Sequence, residues 1–318
     1  MKDHDASFGH TPLGAGGEFD VVRRLLERWG DLAAGIGDDA AILSPHSGQL
    51  VMSTDTSVED VHFRRQWITH REIGYRATAA ALSDLAAMAA APLGVFLALT
   101  LPRDDVPLVD ELADGVGEGV RSAGTRILGG DVTRGEKLSL TLTVIGSADA
   151  PLLRSGARAG DRVYVTGRLG GPLGALRAFT RGSAPEPEHR ARFAHPVPRL
   201  RESRWLAARG VRAAIDISDG LVADARHLAA ASGVVVHLCS EKLPVLAPMS
   251  ADDAAASGEE YELLVSTPDV LDEAAFAREF GVELTEIGEV CAGAEPDVVL
   301  TEDGRRVAAP AGHDHFGQ

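Results

Sequence analysis

Apolar residues recur along this chain at two spacings, and the two take turns. From Glu18 to Trp29 the apolar positions Phe19, Val22, Leu25, Leu26 and Trp29 step by three or four, the period of a helix with one buried face. Leu50 to Ser53 reads as a strand that delivers Asp55 at its C-terminal end. An Ala-rich run from about His70 to Ala90 predicts a long helix, stopped by Pro92 and carrying Asp84 in its second half. Val95 to Leu101 follows as a strand. Val106 to Ala123 reads as a helix in spite of three internal glycines, and Leu138 to Ile145 alternates as a half-buried strand.

A second unit starts near Pro151. Val163-Tyr164-Val165 is a short strand that ends in a Gly-rich turn, Gly167 to Gly171, with a helix to about Arg181. Gly182 to Arg190 is polar and contains proline, the pattern of an exposed loop. Helix 198–209, strand 213–217, helix 220–232 and strand 234–238 come next, then strand 261–265, helix 268–280 and strand 283–289. Strands and helices alternate in both halves, which predicts a mixed α/β chain of two domains, residues 16–150 and 151–318, behind a loose tail at 1–15.

Composition narrows the function classes. At 318 residues the chain is long enough for two cores, and with aromatics at only 5% they must rest on Ala, Leu and Val. Acids outnumber Lys and Arg by 47 to 31, a net charge of -16 that repels nucleic acid and anionic membranes and argues against either as a partner. Cys239 and Cys291 are too few and too far apart for a disulfide framework, and read as reduced buried thiols of a cytoplasmic protein. Met1 to Ala15 shows no apolar signal-peptide core. The most apolar stretch, Ala77 to Leu101, is interrupted by Ser83, Asp84 and Pro92, so it reads as helix, turn and strand of a soluble protein rather than as a membrane span.

The chemistry is carried by short acidic motifs with a common grammar. They are Gly35-Ile36-Gly37-Asp38-Asp39-Ala40, Ser53-Thr54-Asp55-Thr56, Leu82-Ser83-Asp84-Leu85, Gly129-Gly130-Asp131 and Ile215-Asp216-Ile217-Ser218-Asp219-Gly220. Each sets carboxylates beside Gly, Ser or Thr. Hard cations such as Mg²⁺ take oxygen ligands, commonly one or two carboxylates plus substrate phosphates. No Gly-x4-Gly-Lys-Ser/Thr loop accompanies them, so phosphates would be held through metal rather than in a lysine cradle. The combination predicts metal-dependent phosphoryl transfer.

In this order the motifs resemble those of the thiamine-monophosphate kinase family, within the superfamily of aminoimidazole-ribonucleotide synthetase and selenophosphate synthetase. The resemblance runs from Gly17-Glu18-Phe19 to Asp314-His315-Phe316-Gly317, and its most specific pieces include Val58-Glu59-Asp60-Val61-His62-Phe63 and Gly129-Gly130-Asp131-Val132-Thr133-Arg134-Gly135. It implies an N-terminal domain that binds ATP and Mg²⁺ and forms a homodimer, and a C-terminal α/β domain that completes the active-site cleft. The implied reaction moves the γ-phosphoryl of ATP onto thiamine monophosphate, the final step of thiamine diphosphate biosynthesis. By resemblance Asp39, Ser53, Thr54, Asp55, Asp84, Asp131, Asp216 and Asp219 are metal ligands, with several Mg²⁺ ions bound. Gly130, Asp131, Arg154 and Ser218 meet the nucleotide, and His62 and Glu259 meet thiamine monophosphate.

Plainer readings compete at single positions. Asp219 ahead of Gly220 has the look of a helix N-cap, and Gly129-Gly130-Asp131 that of a tight turn. His62 alone reads as a packed or capping histidine. Asp84 differs, because a carboxylate amid Leu82, Leu85 and Met88 is costly to bury unpaired. The chain also departs from the family pattern: Gly-Gly-Glu-Asp-Tyr-Glu-Leu becomes Ser257-Gly258-Glu259-Glu260-Tyr261-Glu262-Leu263, and His313 stands where an aromatic residue precedes Asp-His-Phe, as a weaker platform for the substrate ring or as a solvent-exposed tail residue. Other members of the superfamily and a non-catalytic nucleotide- or cation-binding protein on the same fold are the rival readings.

Overall fold

The computed structural model describes residues 17–36, 40–43 and 47–310. The chain divides into two units, Met1–Leu82 with Pro92–Ser147, and Ser83–Ala91 with Ala148–Gln318. In chain order the first half holds α1 (Gly17–Trp29), β1 (Gln49–Val58), α2 (His70–Ala87), β2 (Ala91–Leu101), α3 (Val109–Ser122), β3 (Ile127–Arg134) and β4 (Ser139–Ala148). Its strands form one sheet in the order β1-β4-β2-β3, with β2 and β3 parallel. The hydroxyls of Thr54 and Thr143 meet at 2.9 Å and those of Thr56 and Thr141 at 3.0 Å, a descending register that makes β1 and β4 antiparallel.

Alternation along these strands gives the sheet two unlike faces. One buries Leu97, Leu99, Leu140, Leu142 and Val144, and Leu25, Leu26 and Trp29 of α1 are buried as well. The Trp29 indole N–H donates to the Ala113 carbonyl of α3 at 2.8 Å. The other face carries Thr54, Thr56, Phe96, Ala98, Asp131, Thr141 and Thr143, and at its β1 end Leu50 and Met52 stay 59% and 60% exposed.

The glycines that look wrong for a helix turn out to be the condition of its packing. A Cβ at Gly115 would lie 1.8 Å from the Arg71 carbonyl oxygen of α2, and one at Gly119 would lie 2.8 Å from the Thr78 side chain. On the facing helix, a Cβ at Gly74 would come within 2.4 Å of the Leu112 carbonyl oxygen. The two helices therefore approach backbone to backbone, which any larger residue would forbid.

The second half holds β5 (Arg162–Thr166), α4 (Gly171–Thr180), α5 (Pro187–Ala194), α6 (Leu200–Ala207), β6 (Ala213–Asp216), α7 (Leu221–Ser232), β7 (Val235–Cys239), α8 (Ala251–Ala256), β8 (Leu263–Thr267), α9 (Glu273–Phe280), β9 (Leu284–Cys291), β10 (Asp297–Glu302) and β11 (Arg305–Arg306). Seven strands pair in the order β11-β10-β7-β9-β5-β8-β6. The β10–β7 pair is parallel and the others are antiparallel. Val163, Val165, Ile215, Val236, Leu238, Leu264 and Ile287 share one buried cluster with Leu221, Val222, Ala225 and Leu228 of α7. The mixed α/β class predicted from periodicity is the class observed.

Several local expectations need correction. Asp55 lies inside β1 rather than at its end. Pro92 does not stop α2. The helix ends at Ala87, Ala89 turns left-handed at φ 53°, the Ala90 N–H reaches back to the Leu85 carbonyl at 2.9 Å, and Pro92 belongs to β2. Gly129-Gly130-Asp131 is strand, not turn. A helix, α5, begins in the expected loop, with Pro187 in its first turn, where a missing N–H costs nothing. Among the described residues no helix is long and apolar enough to cross a membrane.

Gly115→Ala separates propensity from packing. Alanine favours an isolated helix by about 1 kcal/mol, yet here its methyl has no room against Arg71. Urea denaturation should show a loss of at least ~2 kcal/mol, in the range of overpacked cores. A stabilised variant would mean that the helices can separate without cost.

Candidate active site

In the second unit the site is built on the turn that follows β6. Asp216 ends that strand and is 5% exposed. Ser83, in the last part of α2, donates its hydroxyl to Asp216 Oδ2 at 2.7 Å. Asp84 is half-buried beside it, near the carbonyl end of α2, where the helix dipole disfavours negative charge and the last turn offers no basic residue. Burial first, then the neighbouring Asp84, pushes the Asp216 carboxyl up to about 6, against the Ser83 hydrogen bond and the charge of Arg154. Arg154 is exposed in a single helical turn, Arg154–Gly156, tethered by the Ala214 N–H donating to the Leu153 carbonyl at 3.1 Å. Two crowded acids, a hydroxyl and nearby Asp219 make an all-oxygen donor set, the chemistry that suits a hard divalent cation.

The shape of this turn depends on a residue that the motif reading missed. Asp224 is 2% exposed, and its Oδ2 accepts the backbone N–H groups of Ser218, Asp219 and Gly220 at 3.0, 3.1 and 3.1 Å. Burial, then Asp216 and Asp219, push its carboxyl up to about 7. The N-cap of α7 is Gly220, which has no side chain to offer, and Asp224 in the first helical turn reaches back to the N–H groups of Gly220 and the two residues ahead of it. Asp219 is therefore not the cap that its sequence position suggested. The available signal was an acid four residues after Gly220, where first-turn carboxylates reach back to free N–H groups.

Glu259 is held beside the same turn. Its N–H donates to the Ser218 carbonyl at 2.7 Å, and the Tyr261 N–H donates to the Ile217 carbonyl at 2.9 Å. Both residues adopt left-handed backbone, φ 56° and 53°, which costs roughly 1–3 kcal/mol each and persists only where surrounding bonds impose it. Gly258 between Ser257 and Glu259 is required by space, since a Cβ there would lie 2.6 Å from the Ser218 carbonyl oxygen. The structure thus brings together Asp84, Arg154, Asp216, Ser218, Asp219 and Glu259.

The first unit presents a second group. A cavity of about 350 Å³ opens on the sheet's polar face, lined by Gly35, Ile36, Phe96, Gly130, Asp131 and Thr143 among others. Thr54, hydrogen-bonded to Thr143, shares that face. Ser53 and Asp55 fall on the opposite face by strand alternation, so the Ser53-Thr54-Asp55 run does not act from one side. The Asp55 carboxylate accepts the Thr56 N–H at 2.8 Å. Gly130 has a structural duty of its own, because a Cβ would lie 1.8 Å from the Leu97 carbonyl oxygen of β2. His62 sits in the turn after β1, where its Nδ1 accepts the Val58 N–H at 3.1 Å. Asp39 and His313 lie outside the described residues.

Comparison with known proteins bears on this arrangement. Residues 37–148 match the family model described as AIR synthase related protein, N-terminal domain, and residues 158–301 match the corresponding C-terminal domain. Thiamine-monophosphate kinase of Salmonella typhimurium is 37% identical over 326 residues, spanning 94% of this chain and 98% of that one. This chain belongs to the thiamine-monophosphate kinase family. The crystal structure of the Stenotrophomonas maltophilia thiamine-monophosphate kinase matches with a TM-score of 0.77 at 34% identity, covering 91% of this chain and 96% of that chain. AaThiL complexed with AMPPCP and TMP matches with a TM-score of 0.75 at 31% identity, covering 98% and 100%.

Two departures from the thiamine-monophosphate kinase pattern compensate each other. Ser257 has ordinary backbone, φ -71°, so serine costs nothing there. Its side chain is hydrogen-bonded to Glu260, whose carboxylate accepts the Gly170 N–H at 2.5 Å and faces Arg192 at 3.4 Å. Glu262, two residues on, takes a paired grip from Arg199 at 2.7 and 2.5 Å. Burial opposes its charge, but Arg199 and Arg192 hold the carboxyl below its ordinary range.

Glu260 has the opposite fate: burial pushes its carboxyl up to about 7, ahead of the opposing Arg192, Ser257 and Gly170. The folded state therefore binds this proton more tightly than the unfolded chain. Stability from this group is complete below about pH 4 and is lost as pH rises towards about 7. Glu260→Gln cannot titrate, so between about pH 4 and pH 8 wild type should lose about 3 kcal/mol more than the variant, because each tenfold difference in proton affinity is worth ~1.4 kcal/mol. Urea titrations across that range measure it. Parallel profiles would mean that Glu260 does not titrate with a raised pKa.

Proposed function

We propose that this chain transfers the γ-phosphoryl group of ATP to the phosphate of thiamine monophosphate, giving thiamine diphosphate and ADP. The observation that carries the reading is the crowding of Asp84 and buried Asp216 beside a turn whose backbone N–H groups are already occupied by Asp224. Helix N-termini commonly receive phosphates directly. Here the three amides of the turn ahead of α7 are taken by a carboxylate, so a phosphate at this turn is met through a cation held by Asp84 and Asp216. Family membership, and a relative of the same fold complexed with AMPPCP and TMP, support the choice of substrates.

In the reaction an oxygen of the thiamine monophosphate phosphate bonds to the γ-phosphorus while the bond from γ-phosphorus to the ADP oxygen breaks. The acceptor is already anionic, so no general base is required. Catalysis lies in placing two polyanions together and offsetting their charge. Asp39, Thr54, Asp84, Asp131, Asp216 and Asp219, joined by Ser53 and Asp55 from the other face of β1, would hold several Mg²⁺ ions, which when bound supply the positive charge that these carboxylates lack. Gly130, Arg154 and Ser218 would contact the nucleotide, while His62, Glu259 and His313 would contact thiamine monophosphate. We also propose that the enzyme is cytoplasmic, with reduced cysteines, and homodimeric. The exposed Leu50 and Met52 on the open face of the first sheet support an interface there.

Purified protein with ATP and excess Mg²⁺ should convert thiamine monophosphate to thiamine diphosphate, and thiamine should not be an acceptor. Sedimentation of the same sample should report two chains. Asp84→Asn and Asp216→Asn should lower turnover by more than the roughly 10–100-fold typical of losing an outer partner of a metal ligand, with unchanged circular dichroism. Turnover of aminoimidazole precursors or selenide in place of thiamine monophosphate would overturn the assignment.

A further inference from the structure

Away from the acidic motifs, the large sheet carries a cluster of different chemistry. His237 on β7 is directly opposite Glu289 on β9, and Cys291 lies two residues further along β9, opposite Val235. Their flanking neighbours Val236, Leu238 and Val290 belong to the buried cluster under α7. Strand alternation therefore turns His237, Glu289 and Cys291 to the other face of the sheet. One imidazole nitrogen, one carboxylate oxygen and the Cys291 sulfur lie within 4.8 Å of one another. His237 and Cys291 are half-buried and Glu289 is exposed. The thiol is free of any disulfide.

We propose that His237, Glu289 and Cys291 form a binding site for a thiophilic divalent metal of the Zn²⁺ class. The ligand types decide the class: thiolate and imidazole favour Zn²⁺, whereas Mg²⁺ prefers an all-oxygen shell. Bonds of about 2.0–2.3 Å to N, O and S place tetrahedral ligand atoms some 3.3–3.8 Å apart. The present spacing, within 4.8 Å, is close to that value. On coordination the Cys291 thiol releases its proton to solvent as the sulfur–metal bond forms. Carboxylate and thiolate together then balance the two positive charges, and solvent takes the fourth position.

The cluster is pre-organised because its members are fixed by sheet register. Gly288 of β9, opposite Leu238, allows the close approach of the two ligand-bearing strands: a Cβ there would lie 1.9 Å from the His237 carbonyl oxygen. Arg162 is the nearest cation by register, opposite Glu289, but its guanidinium is engaged with Glu286 at 2.7 Å. Bound metal would tie β7 to β9, two interior strands of the seven. This inference is independent of the kinase reading, since none of the three residues has a part in phosphoryl transfer.

Cobalt serves as the spectroscopic probe. Chelator-stripped full chain, titrated with Co²⁺ in the presence of millimolar Mg²⁺, should take up one equivalent that shows a thiolate-to-cobalt charge-transfer band. Zn²⁺ should displace it and Mg²⁺ should not. Cys291→Ser should lose the band, and His237→Gln and Glu289→Gln should each weaken Co²⁺ at least tenfold, with unperturbed circular dichroism. Cys239→Ser should keep the band. No band in wild type, or a band that survives Cys291→Ser, would overturn the proposal. Equal Co²⁺ affinity in wild type and His237→Gln would do the same, by assigning the metal to other histidines.

Discussion

The acidic turn after β6 depends on one buried carboxylate that never needs to touch a substrate. Asp224 gathers three successive N–H groups and so fixes the path of Ser218, Asp219 and Gly220. With that path fixed, Asp216 is set beside Asp84 and Asp224, and Asp219 beside Asp224. The burial that raises the Asp216 and Asp224 carboxyls also makes the turn hungry for a cation.

Close backbone approach is a theme of both units. Gly74, Gly115 and Gly119 let α2 meet α3 at main-chain distance, and Gly130 does the same between β3 and β2. Gly258 clears the Ser218 carbonyl, which allows the left-handed Glu259 and Tyr261 to bond back to the turn. Glycine here serves proximity more than flexibility. Each of these positions is next to a site residue or to the helix that carries Asp84, so packing and function constrain the same stretches of chain.

The buried ion network under that segment shows how sequence departures can be absorbed. Glu260 is one methylene longer than the family's aspartate, and its reach is used: Gly170, Ser257 and Arg192 all face its carboxyl. Ser257, where the family has glycine, contributes one of those partners. Glu262 remains ionised because Arg199 grips it with two nitrogens, while Glu260, with a looser arginine, is driven towards its neutral form. Two neighbouring glutamates thus differ in charge state through their partners, not their burial.

Fold class and reaction chemistry were legible in the residues alone. Helical spacing from Phe19 to Trp29, alternation from Leu138 to Ile145, and acidic motifs without a lysine cradle are local patterns, and local patterns survive without a structure. Contacts between distant residues were not legible in this way. Pro92 read as a helix stop, yet α2 ended earlier through a left-handed Ala89. Taken singly, Gly129-Gly130-Asp131 had the look of a turn, yet it pairs with β2 as part of β3, where the Leu97 carbonyl leaves room only for glycine at 130. Taken singly, Asp219 had the look of a cap, yet Gly220 holds that position and Asp224 bonds back to the turn. Ser53 and Asp55 were separated from Thr54 by a strand alternation that is invisible until the strand's extent is known. In each case a partner elsewhere in the fold, or a register set by pairing, outweighed the local signal, and neither is contained in the residues on either side.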